Sequence, residues 1–306
     1  MTLPTIAKKR VNIPVAISPG AQYRRLLDDA RILVQPSLPD PLSARIAEDV
    51  GIRALSLGGY AMGASRAVTE PLLSLEDVAQ MMRHIRAVCS LPVMVDAGAG
   101  WGEPMHVMHT VRTLELAGAA AVHLEDQHYP KRAHYHKGVE HVVPLEELVQ
   151  KIRAAVAAKT DPDFVICART DAMRTDGYAE GIRRAEACLE AGADVIMMFP
   201  NNDAETQAAP KDLPGVPLIY VNSTGNDQGR GVYPAAVLED WGWKVVYDSI
   251  SVTNVMFSAV KTFLTTLQQT GDPGFDRASV IGIRKDVERT IGLNELYELE
   301  ASTVEF

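Results

Sequence analysis

Four times along this chain an amphipathic segment closes on a glycine, and a short apolar, β-branched run follows at once. Asp49-Val50-Gly51 leads into residues 54–58, Leu116-Ala117-Gly118 into 121–124, Glu190-Ala191-Gly192 into 195–199, and Asp240-Trp241-Gly242 into 244–247. Glycine at that point suits a helix C-cap, where a left-handed backbone is needed. Four further runs, 32–35, 93–95, 164–168 and 218–221, follow Asp28-Asp29, Pro92, Asp161-Pro162 and Pro217. Between the runs the apolar spacing is helical. Leu75, Val78, Met82, Ile85 and Cys89 step by three and four, as do Met105, Met108, Val111 and Leu114, and then Ile182, Ala185 and Leu189. The strands read as continuously apolar, as buried parallel strands do. Eight such units predict an α/β fold, a (β/α)8 TIM barrel formed by residues 1–306 as one domain. A doubly wound open sheet is the competing arrangement. From residue 252 onward the chain exceeds eight units: a long helix to Gln269, a Gly-Asp-Pro break at 271–273, and a helix near 283–299. This 252–306 segment is expected to serve in oligomer packing.

Length and composition agree with one barrel. The chain has 306 residues, 47% hydrophobic and 23% charged, which excludes disorder and coiled coil for the chain as a whole. A net charge of −9 with interspersed signs offers no basic stripe, which argues against nucleic acid and anionic membrane as partners. Cys89, Cys167 and Cys188 lie in apolar runs without zinc-type spacing and read as reduced core thiols. Met1 to Val15 lacks an apolar core of the signal-peptide kind, and no run of 18 apolar residues occurs, so a soluble, cytoplasmic protein is expected.

In a barrel of this type the chemistry sits where strands end. Strand two ends in Gly58-Gly59-Tyr60, strand three in Asp96, strand four in His123-Leu124-Glu125-Asp126-Gln127, strand five in Arg169-Thr170-Asp171, and strand seven in Asn222-Ser223-Thr224. Asp96 and Glu125 on adjacent strands form an oxygen-rich pair suited to Mg²⁺, which uses few carboxylates plus waters and substrate oxygens. Arg169 offers a planar fork for a carboxylate or phosphonate, His123 can orient or donate to an oxyanion, and Asn222 is a further substrate contact. Tyr60 and Trp101 are expected at the pocket wall. Any one of these residues is as readily a satisfied strand cap; their convergence from successive strand ends is what favours a site.

The stretch from His128 to His141, HYPKRAHYHKGVEH, follows strand four and reads as a lid carrying Lys131, Arg132 and imidazoles toward an anionic substrate. Its histidines do not have zinc-site spacing. Gly98-x-Gly100-x-Gly102 lacks the dinucleotide-binding spacing, Asn222-Ser223-Thr224 has no secretory context for glycosylation, and the methionine pairs 81–82 and 197–198 read as core filler.

The order Gly-Gly at strand two, Asp-Ala-x-x-Gly-aromatic-Gly at strand three, Glu125-Asp126-Gln127, Pro130-Lys131-Arg132 and Ala168-Arg169-Thr170-Asp171 resembles the isocitrate lyase / phosphoenolpyruvate mutase family from about residue 20 to residue 270. The resemblance implies a barrel whose eighth helix is exchanged between subunits of a dimer or homotetramer. It also implies Mg²⁺ and cleavage or formation of C–C or C–P bonds next to a carboxylate, through an enolate. It makes Asp96 a direct Mg²⁺ ligand, Glu125 a ligand through water and Glu70 the counterpart of a third carboxylate. It makes His123 and Arg169 substrate contacts, and the amides of Gly59 and Tyr60 the grip on the substrate carboxylate. Pro130 to Gly138 matches the gating loop. Lyases of the family carry Lys-Arg-Cys-Gly-His there, with the Cys as general acid; Lys131, Arg132, Ala133, His134 and Tyr135 stand in this chain, so the acid is sought among His134, Tyr135, His136 and water. The family's second Asp at strand three is Gly98, a Glu at strand six is Phe199, and an Arg near strand eight is Thr253.

These features predict a Mg²⁺-dependent carbon–carbon lyase for a small 2-hydroxy- or 2-oxo-carboxylic acid, resembling methylisocitrate lyase. An oxaloacetate-type decarboxylase, a phosphonopyruvate mutase or hydrolase, and a degenerate ligand-binding barrel are the alternatives.

Overall fold

In the computed structural model, which describes residues 17–137, 141–226 and 229–304 apart from the His136 side chain, the eight apolar runs form eight parallel strands. They are β1 (Leu33–Pro36), β2 (Leu55–Leu57), β3 (Val93–Asp96), β4 (Ala121–Glu125), β5 (Val165–Thr170), β6 (Val195–Met198), β7 (Leu218–Asn222) and β8 (Val245–Asp248). From β2 to β8 each strand pairs with its sequence neighbour, and β8 returns to β1. Between β1 and β2 the ladder thins to one bridge, Ser37 to Ser56. A buried polar cluster reinforces that seam: Gln35 Nε2 donates to Leu55 O at 3.2 Å and Ser56 Oγ at 2.6 Å, while Tyr23 Oη donates to Gln35 Oε1 at 2.8 Å.

The helices follow from the same periodicity. The barrel carries α1 (Pro19–Asp28), α2 (Pro41–Asp49), α3 (Gly59–Ser65), α4 (Leu75–Val88), α5 (Pro104–Leu116), α6 (Leu145–Ala158), α7 (Ala172–Thr175), α8 (Tyr178–Glu190), α9 (Asp203–Asp212) and α10 (Ala235–Trp241). On α4 the expected face of Val78, Met82 and Ile85 is the buried one, and a reciprocal Ser74–Asp77 capping box starts the helix. Gly51, Gly118, Gly192 and Gly242 have φ of 86°, 94°, 100° and 98°, the left-handed backbone their positions predicted. Helix α1 spans the end of the barrel opposite the site. Its Arg24 binds Asp194 at 2.8 Å and Asp163 O at 2.9 Å, and Gly20 approaches the Asp163 backbone so closely that a Cβ would sit 2.6 Å from it.

The C-terminal segment departs from expectation. After α11 (Ser251–Thr270), the single helix expected near 283–299 is two helices, α12 (Arg277–Ile291) and α13 (Leu293–Thr303). Asp276 caps α12 earlier than the apolar spacing indicated, and Gly292, with φ of 75°, breaks the run. α11 buries none of its residues, and Val255 and Phe257 are 68% and 67% exposed. Among the described residues no helix is long and apolar enough to cross a membrane. Residues 1–15, where no signal peptide was expected, lie outside the described residues.

Candidate active site at the carboxyl ends of the strands

The ladder register brings the polar strand ends together. Asp96 of β3 pairs with His123 of β4, and Glu125 of β4 pairs with Arg169 of β5. These side chains rise at one end of the barrel beside a cavity of about 300 Å³. Gly58, Gly59, Tyr60, Glu70, Asp96, Tyr135 and Arg169 line one part of it, and Arg174, Phe199, Ser223, Asn226 and Arg230 line the other.

Lys131 is the hub of the first part. Its ammonium ion-pairs with Glu70, lies 3.0 Å from Glu125 Oε1, and sits 4.3 Å from the centroid of the Tyr135 ring. Burial disfavours this charge, yet Glu125 and Glu70 outweigh burial and hold the ammonium well above its ordinary pKa. Lys131 is therefore a fixed cation, not a base. Burial pushes the Glu125 carboxyl up against the pull of Lys131 and Arg169. Burial acts the same way on Asp96, but His123, then Lys131 and Arg169, with the Gly98 amide, outweigh it and its pKa is lowered. Asp96 also accepts hydrogen bonds from the amides of Gly59 (3.1 Å) and Gly98 (2.9 Å). Gly59 is tightly enclosed: a Cβ there would lie 3.1 Å from Glu70 Oε2 and 3.2 Å from Asp96 Oδ2. His123 is buried, burial lowers its pKa to about 4, and neither ring nitrogen has a hydrogen-bond partner. It is thus a neutral imidazole at physiological pH, 3.7 Å from Asp96 Oδ1.

Arg169 is held on three sides. Nη1 lies 3.1 Å from Glu125 Oε2, Nη2 lies 3.1 Å from Asp171 Oδ2, and Nη2 donates to Tyr135 Oη at 2.9 Å. Burial raises the Tyr135 pKa despite Arg169 and Lys131, so the phenol stays protonated. Behind this layer Asp126 accepts from Thr170 Oγ1 (2.7 Å), the Asp171 amide (2.9 Å) and Arg184 (3.1 Å), and Gln127 donates to Asp171. Two members of the Glu-Asp-Gln motif thus brace the ends of β4 and β5, and only Glu125 faces the lysine.

Several expected residues are elsewhere. His134 and Arg132 are exposed, in and beside a short 3-10 turn (Ala133–Lys137), and neither lines the cavity. The side chain of His136, and Gly138 at the end of the gating segment, lie outside the described residues. Asn222 spends its amide on the backbone of Tyr233, donating to O at 2.8 Å and accepting from N at 3.1 Å. Trp101 is not at the pocket wall: its Nε1 donates to Leu73 O at 3.1 Å and its ring packs on the core. The three cysteines are free and buried, and burial raises their pKa values, so none supplies a thiolate at the mouth. Arg174 and Arg230 were not anticipated. The only signals for them are an arginine five residues past Arg169 and a lone arginine in the Gly-rich stretch after β7.

The carboxylates at this end of the barrel form a donor set that suits Mg²⁺. The Oε1 atoms of Glu70 and Glu125 are buried without a hydrogen bond and answered by the Lys131 charge, beside Asp96. Among the described residues no three ligating side chains gather around one point. Hard carboxylate oxygens without a closed cage suit an ion that retains waters and takes substrate oxygens, so the residues fit.

The model of the family described as phosphoenolpyruvate phosphomutase matches residues 23–269. The chain is 36% identical to a probable 2-methylisocitrate lyase 2 of Corynebacterium glutamicum over 263 residues, 84% of each chain. It is 34% identical to 2,3-dimethylmalate lyase of Eubacterium barkeri over 238 residues, 76% of this chain and 81% of the relative. Solved structures of similar shape include oxaloacetate acetylhydrolase with the inhibitor 3,3-difluorooxalacetate (TM-score 0.85, 28% identity, covering 93% and 97% of the two chains). Phosphonopyruvate hydrolase with oxalate and Mg²⁺ is another (TM-score 0.83, 29% identity, 94% and 100%). A family match over most of the chain, together with relatives above 30% identity across more than two thirds of it, makes this chain a member of the phosphoenolpyruvate mutase/isocitrate lyase family and an enzyme on its carbon–carbon lyase side.

Proposed function

We propose that the protein is a Mg²⁺-dependent lyase that cleaves a carbon–carbon bond in a small 2-hydroxy- or 2-oxo-carboxylic acid. The observation that carries this reading is the convergence of Asp96, Glu70, Tyr135 and Arg169 around one cavity of about 300 Å³, at the small end for ligand pockets, with Lys131 ion-paired to Glu70 and seated over the Tyr135 ring. Asp96, Glu125 and Glu70 are the residues that would hold the ion. When bound there, Mg²⁺ supplies Lewis-acid stabilisation of negative charge on the substrate's oxygens.

The chain's own residues do the rest. The amide of Tyr60, at the start of α3, and the Arg169 guanidinium orient the substrate carboxylate. Glu70, a carboxylate on the cavity wall held by Lys131, accepts the proton that the substrate hydroxyl loses as the bond breaks. Lys131 remains an ammonium and offsets charge that develops on the departing fragment. Tyr135 Oη, protonated and on the cavity wall, returns a proton to the departing carbon, the role for which this chain has no loop cysteine. His123, neutral, is a hydrogen-bond donor beside Asp96.

A second reading, hydrolysis or rearrangement of a phosphonopyruvate-type acid, draws on the neighbour with oxalate and Mg²⁺, whose chain is covered in full. The test is product identification by mass spectrometry from 2-methylisocitrate, 2,3-dimethylmalate, oxaloacetate and phosphonopyruvate, each with Mg²⁺ and with EDTA. A Mg²⁺-dependent oxoacid released by C–C cleavage is the expected result. Phosphate release from phosphonopyruvate alone would favour the second reading, and an inert protein that still binds Mg²⁺ and oxalate would make it a ligand-binding barrel.

We also infer that the protein is a cytoplasmic homo-oligomer, a dimer or tetramer, in which α11 packs on a second copy; the bare apolar face of α11 supports this.

A further inference from the structure

The wall of the cavity formed by Phe199 and the loop after β7 carries an imbalance of charge. The guanidinium carbons of Arg169, Arg230 and Arg174 lie 4.7, 4.9 and 5.7 Å from the centroid of the buried Phe199 ring. Arg169 is answered by Glu125 and Asp171. Among the described residues Arg230 has no carboxylate partner. It is only 8% exposed, it donates through Nη2 to Val221 O at 3.1 Å, and its Nε and Nη1 are buried with no hydrogen-bond partner. A buried guanidinium with two idle donors is costly unless something completes it. Burial and the nearby Arg174 charge both act against it, lowering its pKa, although an arginine stays protonated.

The loop holds this arginine in place. Asn226 Oδ1 accepts from the Arg230 amide at 3.2 Å, its Nδ2 donates to Arg230 O at 3.3 Å, and Tyr220 Oη donates to Gly231 O at 2.7 Å. A side chain at Gly231 would collide with Tyr233, so the backbone is threaded tightly at that point. Its guanidinium is therefore preorganised on the cavity wall, which a surface arginine is not.

We propose that Arg230 anchors a second anion subsite and thereby sets specificity, so that the substrate carries a terminal oxyanion, carboxylate or phosphonate, in addition to the carboxylate at its reacting end. The idle N–H groups on Nε and Nη1 lie on different edges of the guanidinium, so each offers such a group a single charge-assisted hydrogen bond, and Arg174 adds charge beside them. Phe199 supplies an apolar plate against which the arginines stack and a short carbon chain can lie. This rests on the reading that the reacting end sits at Asp96.

The test is equilibrium binding by calorimetry, with Mg²⁺ present, to wild type, Arg230→Met and Arg230→Lys. The probes are oxalate, 3,3-difluorooxaloacetate and phosphonopyruvate. Oxalate is too short to span both ends and serves as the control for folding and for the Asp96 end. The expected result is an unchanged oxalate Kd in all three proteins. At least one longer acid should lose about tenfold or more in Arg230→Met, with Arg230→Lys between. The acid that loses most identifies the terminal group as carboxylate or phosphonate. Equal weakening of oxalate and the longer acids, no weakening of either, or a wild type that binds neither longer acid would overturn the subsite. Failure of oxalate to bind wild type with Mg²⁺ counts against the reacting-end reading instead, and an Arg230-dependent Kd for a longer acid would still stand.

Discussion

Arg169 Nη2 donates to Tyr135 Oη across 2.9 Å, tying the segment after β4 to the end of β5. The phenol lies on the cavity wall between this guanidinium and the Lys131 ammonium. A hydroxyl flanked by two cations, and still protonated because burial outweighs them, is a proton donor whose conjugate base has partners waiting.

Tyr135→Phe removes that proton while keeping the ring over Lys131. It is expected to lower kcat by about 100-fold or more with little change in KM, as loss of a positioned acid does. His134→Ala, at an exposed position off the cavity, is expected to leave kcat near wild type. Steady-state kinetics on whichever acid proves to be cleaved checks both, and the reverse pattern would move the acid from the phenol to the imidazole.

Asp96→Asn tests the metal assignment apart from turnover. The amide keeps an oxygen acceptor for the Gly59 or Gly98 amide but loses the charge, so the barrel is expected to fold and the rise in Tm caused by Mg²⁺ to vanish. A thermal melt with Mg²⁺ against one with EDTA reads this directly. Undiminished Mg²⁺ stabilisation in the variant would place the ion elsewhere.

The parts of this arrangement that were legible in the sequence are those set by local rules. Gly51, Gly118, Gly192 and Gly242 mark helix ends because a positive φ excludes most other residues, and the apolar runs after them could only be buried strands. Asp96, Glu125 and Arg169 were readable as neighbours because strand ends in a barrel share one rim. Asn222 obeys the same rule of position, but its amide is consumed by the backbone of Tyr233, a contact 11 residues away that spacing does not reveal. Arg230 was hidden for the related reason that its place depends on how Asn226 and Tyr220 fold the loop around it. Gly292 was overlooked because it interrupts a run whose apolar period continues on both sides.

The β1–β2 seam gives a prediction about stability. With one bridge joining those strands, the Gln35 side chain supplies bonds that a full ladder would otherwise make. Gln35→Leu leaves Tyr23 Oη and Ser56 Oγ without it in a buried setting, which is expected to cost about 1–3 kcal/mol. Urea unfolding followed by circular dichroism measures the cost. An unchanged midpoint would mean that packing alone closes the barrel there.

The C-terminal helices give a prediction about assembly. α11 is 20 residues long and buries none of them, and Val255, Phe257 and Val260 are exposed by 68%, 67% and 56%. A 33.3 kDa chain that leaves such a face to water carries a large unpaid hydrophobic term, which a second copy would remove. Returning on the barrel, α12 touches α2 through polar contacts, Thr290 to Asp49 at 3.2 Å and Arg289 to Asp49 at 3.8 Å, so it does not cover that face. Phe257→Glu combined with Val260→Glu is therefore expected to convert a dimer or tetramer into monomer, read as mass by light scattering behind a sizing column. The barrel's circular dichroism should stay the same, because neither residue enters the core. A wild type that already runs as monomer would overturn the packing of α11 on a second copy.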